Sequence, residues 1–91
     1  MLPSPHPAVL FQPVSEGAIL LHTEQEIYFG LNGVGVEVWQ MLPPACTELE
    51  DVCNALGRRY PEVPAGELRN DVVELLDTLT VQGLVVPADG E

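Results

Sequence analysis

Residues 17–42 read GAILLHTEQEIYFGLNGVGVEVWQML, and the order of pieces in this stretch decides the fold. Ala18-Ile19-Leu20-Leu21 is a buried-strand run, followed by the polar turn His22-Thr23-Glu24-Gln25. Glu26-Ile27-Tyr28-Phe29 alternates as a second strand and is ended by Gly30. Asn32 then offers a helix N-cap oxygen just ahead of Val34, Val36, Val38 and Trp39. A hairpin that feeds straight into a helix is therefore expected, closing on the chain's only Trp.

Upstream, Ala8–Val14 is a third strand candidate, with Pro13 marking an edge or bulge. The turn Ser15-Glu16-Gly17 links it to the hairpin, so a three-stranded antiparallel meander is expected. Pro3, Pro5 and Pro7 deny regular hydrogen bonding to residues 1–7, which read as an arm that is frayed or ordered only on contact. Downstream, the first helix spans about 33–42 and stops at Pro43-Pro44. Thr47-Glu48-Leu49-Glu50 reads as a capping box opening a second helix, with Leu49, Val52, Cys53 and Leu56 at helical spacing. The third helix runs from about Pro64 to Gln82, with Gly83 as its stop. Leu84-Val85-Val86 fits a short terminal strand before the polar tail 87–91. The whole is one domain over 1–91, of α+β class: a winged helix-turn-helix-like arrangement, a three-stranded antiparallel sheet followed by three helices that cover it.

Charge narrows the partners. The chain has 91 residues and a formal net charge of −11, with 46% hydrophobic residues. A domain of this size removes only roughly 60–65% of its unfolded surface from water, so its core is small. Arg58, Arg59 and Arg69 are the only basic residues. Such a surface repels phosphate backbones and anionic lipid, so neither nucleic acid nor membrane is an expected partner. MLPSPHPAV lacks the basic region and apolar run of a signal peptide, and a cytoplasmic location with reduced Cys46 and Cys53 is expected.

No residue pattern supports catalysis, a metal or a cofactor. His6 and His22 are isolated in sequence and read as exposed or strand-edge residues. Cys46 and Cys53 are too far apart for a close metal-binding or redox pair. Gly30, Gly33 and Gly35 lack the Lys that would hold a phosphate. On the third helix, Leu68, Val72, Leu75, Leu76 and Leu79 share one face, with Glu67, Asp71 and Glu74 placed on the opposite side. Asp71 and Thr78 also flank Leu75, which gives the seam beside the sheet a greasy wall and an acidic lip that includes Glu26. A seam of that kind suits an extended peptide with apolar anchors and positive charges.

Tyr28-Phe29-Gly30-Leu31-Asn32, followed by Gly35 and Trp39, then Asp71-Val72, Leu75-Leu76-Asp77, Leu79 and Gly83-Leu84-Val85, resembles the PqqD-like family of peptide-recognition elements. The likeness covers about residues 14–86. The turn Thr23-Glu24-Gln25-Glu26 departs from it, lacking the Gly or Arg often found there, and Val63-Pro64 stands where an acidic cap is usual. The resemblance implies a leader-peptide binder in the biosynthesis of ribosomally made, modified peptides. The leader would add as a strand beside the third predicted strand, under the third helix, and pass to a separate leader peptidase of lasso-peptide type. The alternative within the family is a peptide chaperone for a radical SAM enzyme. The expected peptide-binding set is Glu26, Ile27, Tyr28, Phe29 and Gly30 on the strand, with Leu68, Asp71, Val72, Leu75 and Leu76 on the helix; which of these leucines and valines serve the core stays open. Two readings of other classes are disfavoured. A winged-helix DNA-binding regulator needs a basic recognition helix, yet the three Arg face Glu48, Glu50, Asp51, Glu62, Glu67, Asp71, Glu74 and Asp77. An acidic carrier protein needs a Ser opening a helix, and only Ser4 and Ser15 are present.

Overall fold

Period-two alternation over residues 9–31 builds the sheet. In the computed structural model, which describes residues 2–87, the three predicted strands are β2 (Val9–Val14), β3 (Gly17–His22) and β4 (Ile27–Leu31). They follow β1 (Ser4–Pro5) and precede α1 (Gly33–Gln40), α2 (Leu49–Arg59), α3 (Ala65–Val81) and β5 (Val85–Val86). The sheet order is β2-β3-β4, antiparallel throughout, so β3 is central and β4 is an edge. Phe11, Leu20 and Phe29 form one cross-strand row and Leu10, Leu21 and Tyr28 the next. Successive rows face opposite sides: Leu20 is buried, whereas Leu10 and Tyr28 are exposed.

The helices bury their apolar stripes in one core with Leu20 and Leu31, including Val38, Trp39, Val52, Leu56, Val72 and Leu79. Only α1 packs squarely on the sheet, against β3 and β4. α2 lies on α3, and α3 meets α1 and β5. The expectation that all three helices cover the sheet is therefore corrected: α2 forms an outer layer.

Asn32 caps α1 as its sequence position implies, its side-chain oxygen accepting from the Gly35 N–H at 2.8 Å. The expected capping box on α2 is not formed. The helix begins at Leu49 with Glu48 at the N-cap position and no side-chain cap hydrogen bond. Glu50 and Asp51 in its first turn and Arg58 and Arg59 in its last instead complement the helix dipole. α3 closes as expected at Gly83 (φ 76°), where the Gly83 N–H donates to Thr80 and the Leu84 N–H to Leu79. Those two bonds make a Schellman motif.

The proline-rich arm is held in place. Leu2 is buried and its N–H donates to the Thr47 carbonyl at 2.8 Å, while the His6 N–H donates to Leu84 at 3.0 Å. Between them Ser4 and Pro5 pair antiparallel with Val86 and Val85. Alternate prolines leave these intervening donors free: the Leu2 bond anchors the arm beside the start of α2, and the His6 bond with the β1–β5 pairing joins it to the segment after α3. Of the expected tail, residues 88–91 lie outside the described residues.

α1 and α2 are braced by one polar group. Glu37 accepts from the Tyr60 hydroxyl at 2.6 Å and pairs with Arg59 at 3.1 Å. The hydrogen bond to Glu37, then burial and the Glu37 charge, hold the Tyr60 phenol above its ordinary value of 10.0. A proton retained more tightly in the folded state stabilises it, so this brace is complete below the unfolded value and is lost as pH rises through the higher folded one. A tyrosinate absorbance titration should show an ionisation step above 10.0 that Tyr60→Phe removes. Persistence of that step in the variant would assign it elsewhere.

Candidate functional site

Beside the free edge of β4 lies a groove of about 420 Å³. β4 supplies Phe29, Gly30 and Leu31, the start of α1 supplies Asn32, Val34 and Gly35, and α3 supplies Asp71, Glu74, Leu75 and Thr78, with Val38 also lining it. Leu31 and Asn32 run directly into α1, so the end of β4 and the first turn of α1 necessarily form one wall. The opposite wall is the α3 flank. An edge strand presents unpaired N–H and C=O groups on every second residue. No described segment pairs with that edge of β4.

The groove is apolar along its walls and acidic at its rim. Leu75 is half-buried and Asp71 and Glu74 are exposed; no Lys, Arg or His lines it. Two of its polar groups are committed internally. Asn32 caps α1, and the Thr78 hydroxyl donates to the Glu74 carbonyl at 3.0 Å. A Cβ at Gly30 would meet nothing within 4 Å, so the protein's own packing leaves space at that point.

The structure sorts the expected residues. Phe29, Gly30, Asp71 and Leu75 come together in the groove. Leu68, Val72 and Leu76 are 3%, 1% and 9% exposed and belong to the core. Glu26 is not in the strand: it closes the hairpin loop with φ 57°, its N–H donating to His22 at 2.8 Å. Tyr28, 72% exposed, sits in the row that faces away from the core. Ile27 borders a separate cavity beyond the other end of β4. Asp71 and Glu74 do not form a solvated back opposite the stripe, as the wheel placement had them, but line the groove with Leu75. Leu31, Asn32, Val34, Gly35 and Val38 also line the groove and were outside the expected peptide-binding set. Their signal was the short Leu31–Asn32 link.

Residues 17–85 match the family model described as coenzyme PQQ synthesis protein D (PqqD). The chain belongs to the PqqD family. Among solved structures, TbiB1 in complex with the TbiA(beta) leader peptide is similar to it, at 26% identity and a TM-score of 0.80, over 90% of this chain and 93% of that one. A lasso peptide synthetase B1 complexed with the leader peptide has the same fold, at 24% identity and a TM-score of 0.80, over 91% of this chain and 95% of that one. No curated protein matches. This PqqD-family chain thus combines a free sheet edge with a groove whose charge is entirely negative.

Neither thiols nor histidines assemble a reactive centre in the described region. Cys46 and Cys53 are free and half-buried. His22 corrects the sequence reading: it ends the central strand β3 and is 3% exposed, buried rather than at a surface or sheet edge. Among the described residues no group of three or more His, Cys, Asp or Glu could hold a metal ion, and no helix is long and apolar enough to cross a membrane.

Proposed function

We propose that this protein binds the leader region of a ribosomally made precursor peptide, without chemistry of its own, as a strand added to β4. It then presents that peptide to a separate leader peptidase of the lasso-peptide type. The observation that carries the reading is the unpaired β4 edge bordering a groove with an apolar wall and acidic rim. Its likeness to TbiB1, a protein seen with a leader peptide, supports the same reading. Strand addition supplies backbone hydrogen bonds to any sequence, and the groove supplies selectivity through alternate side chains. Phe29, Val34 and Leu75 are the apolar contacts, Gly30 gives close approach, and Asp71 and Glu74 favour Lys or Arg beside the apolar anchor.

The family match to a PQQ synthesis protein favours a second recipient, a radical SAM enzyme, with the binding mode unchanged. Co-purification of the protein with each enzyme in the presence of precursor separates the two recipients. A DNA-binding role fits poorly, because the exposed positions of α3 include Glu67, Asp71, Glu74 and Asp77.

Proline substitution tests the edge. Along β4 alternate amides face β3 and the open edge, so of Tyr28→Pro and Phe29→Pro one breaks the β3 ladder and the other removes a free donor. The variant that keeps its circular dichroism spectrum should bind the precursor at least about fivefold more weakly, the worth of roughly one hydrogen bond. Unchanged affinity in a folded variant of this pair would reject strand addition. The acidic rim predicts affinity that falls with added salt, and a flat salt series would reduce it to a solvated surface.

A further inference from the structure

At the other end of β4, His22, His6, Gln25, Ile27, Val81 and Gln82 surround a second cavity of about 610 Å³, closed on one side by β5. The two histidines are sixteen residues apart in sequence, yet their rings lie 4.6 Å apart, tilted by 43°. Each has one nitrogen already committed. His22 Nδ1 accepts the N–H groups of Glu24 and Gln25 at 3.3 and 3.2 Å, and His6 Nδ1 accepts the Ala8 N–H at 3.0 Å. A neutral imidazole whose Nδ1 accepts must carry its proton on Nε2. Both rings therefore offer Nε2–H donors, and no described group accepts from either. The same tautomer argues against a metal, which would need a bare Nε2 and hence an Nδ1–H aimed at backbone N–H groups.

His22 is 3% exposed and borders the cavity, so an acceptor seated there would meet a donor shielded from most of the solvent. No Asp or Glu lines this cavity, and Gln25 and Gln82 contribute neutral amides that can donate as well as accept. In a chain of charge −11, its lining holds two imidazoles and no carboxylate, which sets it apart from the acidic groove. The two lie in sequence along the same track. On β4, Ile27 borders the cavity and Phe29–Leu31 the groove; at the end of α3, Val81 and the C-cap Gln82 border the cavity, while Asp71, Glu74, Leu75 and Thr78 border the groove. An extended peptide on the β4 edge passes both, roughly 7–10 Å apart at the rise of two or three strand residues.

We infer that this cavity is a second subsite for the same peptide, taking an Asp or Glu side chain on the Nε2–H groups of His6 and His22. Resting on the strand-addition reading above, the inference gives the bound peptide a polarity. Its carboxylate lies about two to four positions from the apolar residue held at Leu75, and any Lys or Arg lies at the Asp71–Glu74 end.

The test selects binders to the full chain from a displayed library of random 12-residue peptides. Recovered sequences should be enriched in Asp or Glu at that spacing from an apolar anchor. Changing that acid to Asn or Gln should cost about tenfold in affinity, as expected for a hydrogen bond to a charged group. In His6→Ala, whose ring is only half-buried and whose fold is checked by thermal melting, the same change should cost little. Nitrogen-15 spectra of the histidines should show Nε2 protonated in the free protein and shifted by the acid-bearing peptide only. Absence of acid enrichment, or an equal acid-to-amide cost in parent and His6→Ala, overturns the subsite while leaving the groove intact if Leu75→Ala still weakens binding. Recovery of no peptide overturns both readings. The chain's own carboxylates are the other source of such a group: if Asp89→Asn with Glu91→Gln shifts the histidine nitrogens of the free protein, the pocket serves the chain itself and the inference fails.

Discussion

Replacing Leu75 by Ala should weaken leader binding about 30-fold, the equivalent of roughly 2 kcal/mol, while leaving the protein folded. Leu75 lines the groove and is half-buried, whereas Leu68, Val72, Leu76 and Leu79 of the same helix are in the core. It is thus the leucine of this stripe whose exposed side an apolar anchor can cover. Its neighbour Leu76 provides the contrast. Leu76→Ala opens a hole in the core and should cost about 2–5 kcal/mol of stability, with affinity lost only as the fold is lost. Asp71→Ala should cost a few-fold in affinity, mostly through slower association at low salt, because rim charges remain solvated. Calorimetric titration with a precursor leader, alongside circular dichroism, reads all three. If folded Leu75→Ala binds like the parent, the apolar wall is not the reader. If Asp71→Ala loses more than Leu75→Ala, charge is.

That contrast between positions 75 and 76 marks the boundary of what the amino-acid pattern can express. A helical wheel places Leu68, Val72, Leu75, Leu76 and Leu79 in one stripe but cannot say where the sheet ends beneath it. Only the position of β4 separates Leu75 at the seam from Leu76 beneath it. The meander, the Asn32 cap and the Gly83 stop were legible because each depends on a few consecutive residues. The edge position of β4 was legible too, since the chain leaves the sheet for good at Asn32. The short terminal strand at 84–86 was legible as well, and appears as β5, but its partner was not: β1 has two residues, too short for any periodicity, and joins Ser4 to Val86 across nearly the whole chain. The His6–His22 contact depends on that closure and was hidden with it. Glu26 was read into the strand because it precedes Ile27 in alternation. Its positive φ is instead what a four-residue loop lacking Gly demands of its last residue.

Gly17→Ala should be the most damaging small substitution in the chain, costing about 2–4 kcal/mol. Gly17 opens β3 with φ 152°, a conformation that residues bearing a Cβ rarely adopt. Space forbids the methyl as well: it would collide with the Leu31 carbonyl oxygen and lie 3.0 Å from the Leu31 carbon and 3.3 Å from the Asn32 Cα. Those atoms cannot retreat cheaply, because Leu31 is buried and Asn32 caps α1 through Gly35. They also form the end wall of the groove, so the variant should bind leader less tightly even at temperatures where it remains folded. Two other glycines separate strain from collision. Gly83 has φ 76° but open space around its Cβ direction, so Gly83→Ala should cost about 1–2 kcal/mol from backbone strain alone. Gly66, inside α3 with nothing within 4 Å, should tolerate Ala and gain up to about 1 kcal/mol of helix propensity. Urea unfolding midpoints should therefore fall in the order Gly66→Ala, parent, Gly83→Ala, Gly17→Ala. A Gly17→Ala midpoint at or above that of Gly83→Ala would mean that β3 and the Leu31–Asn32 link are not locked together, and the groove's end wall would lose its physical basis.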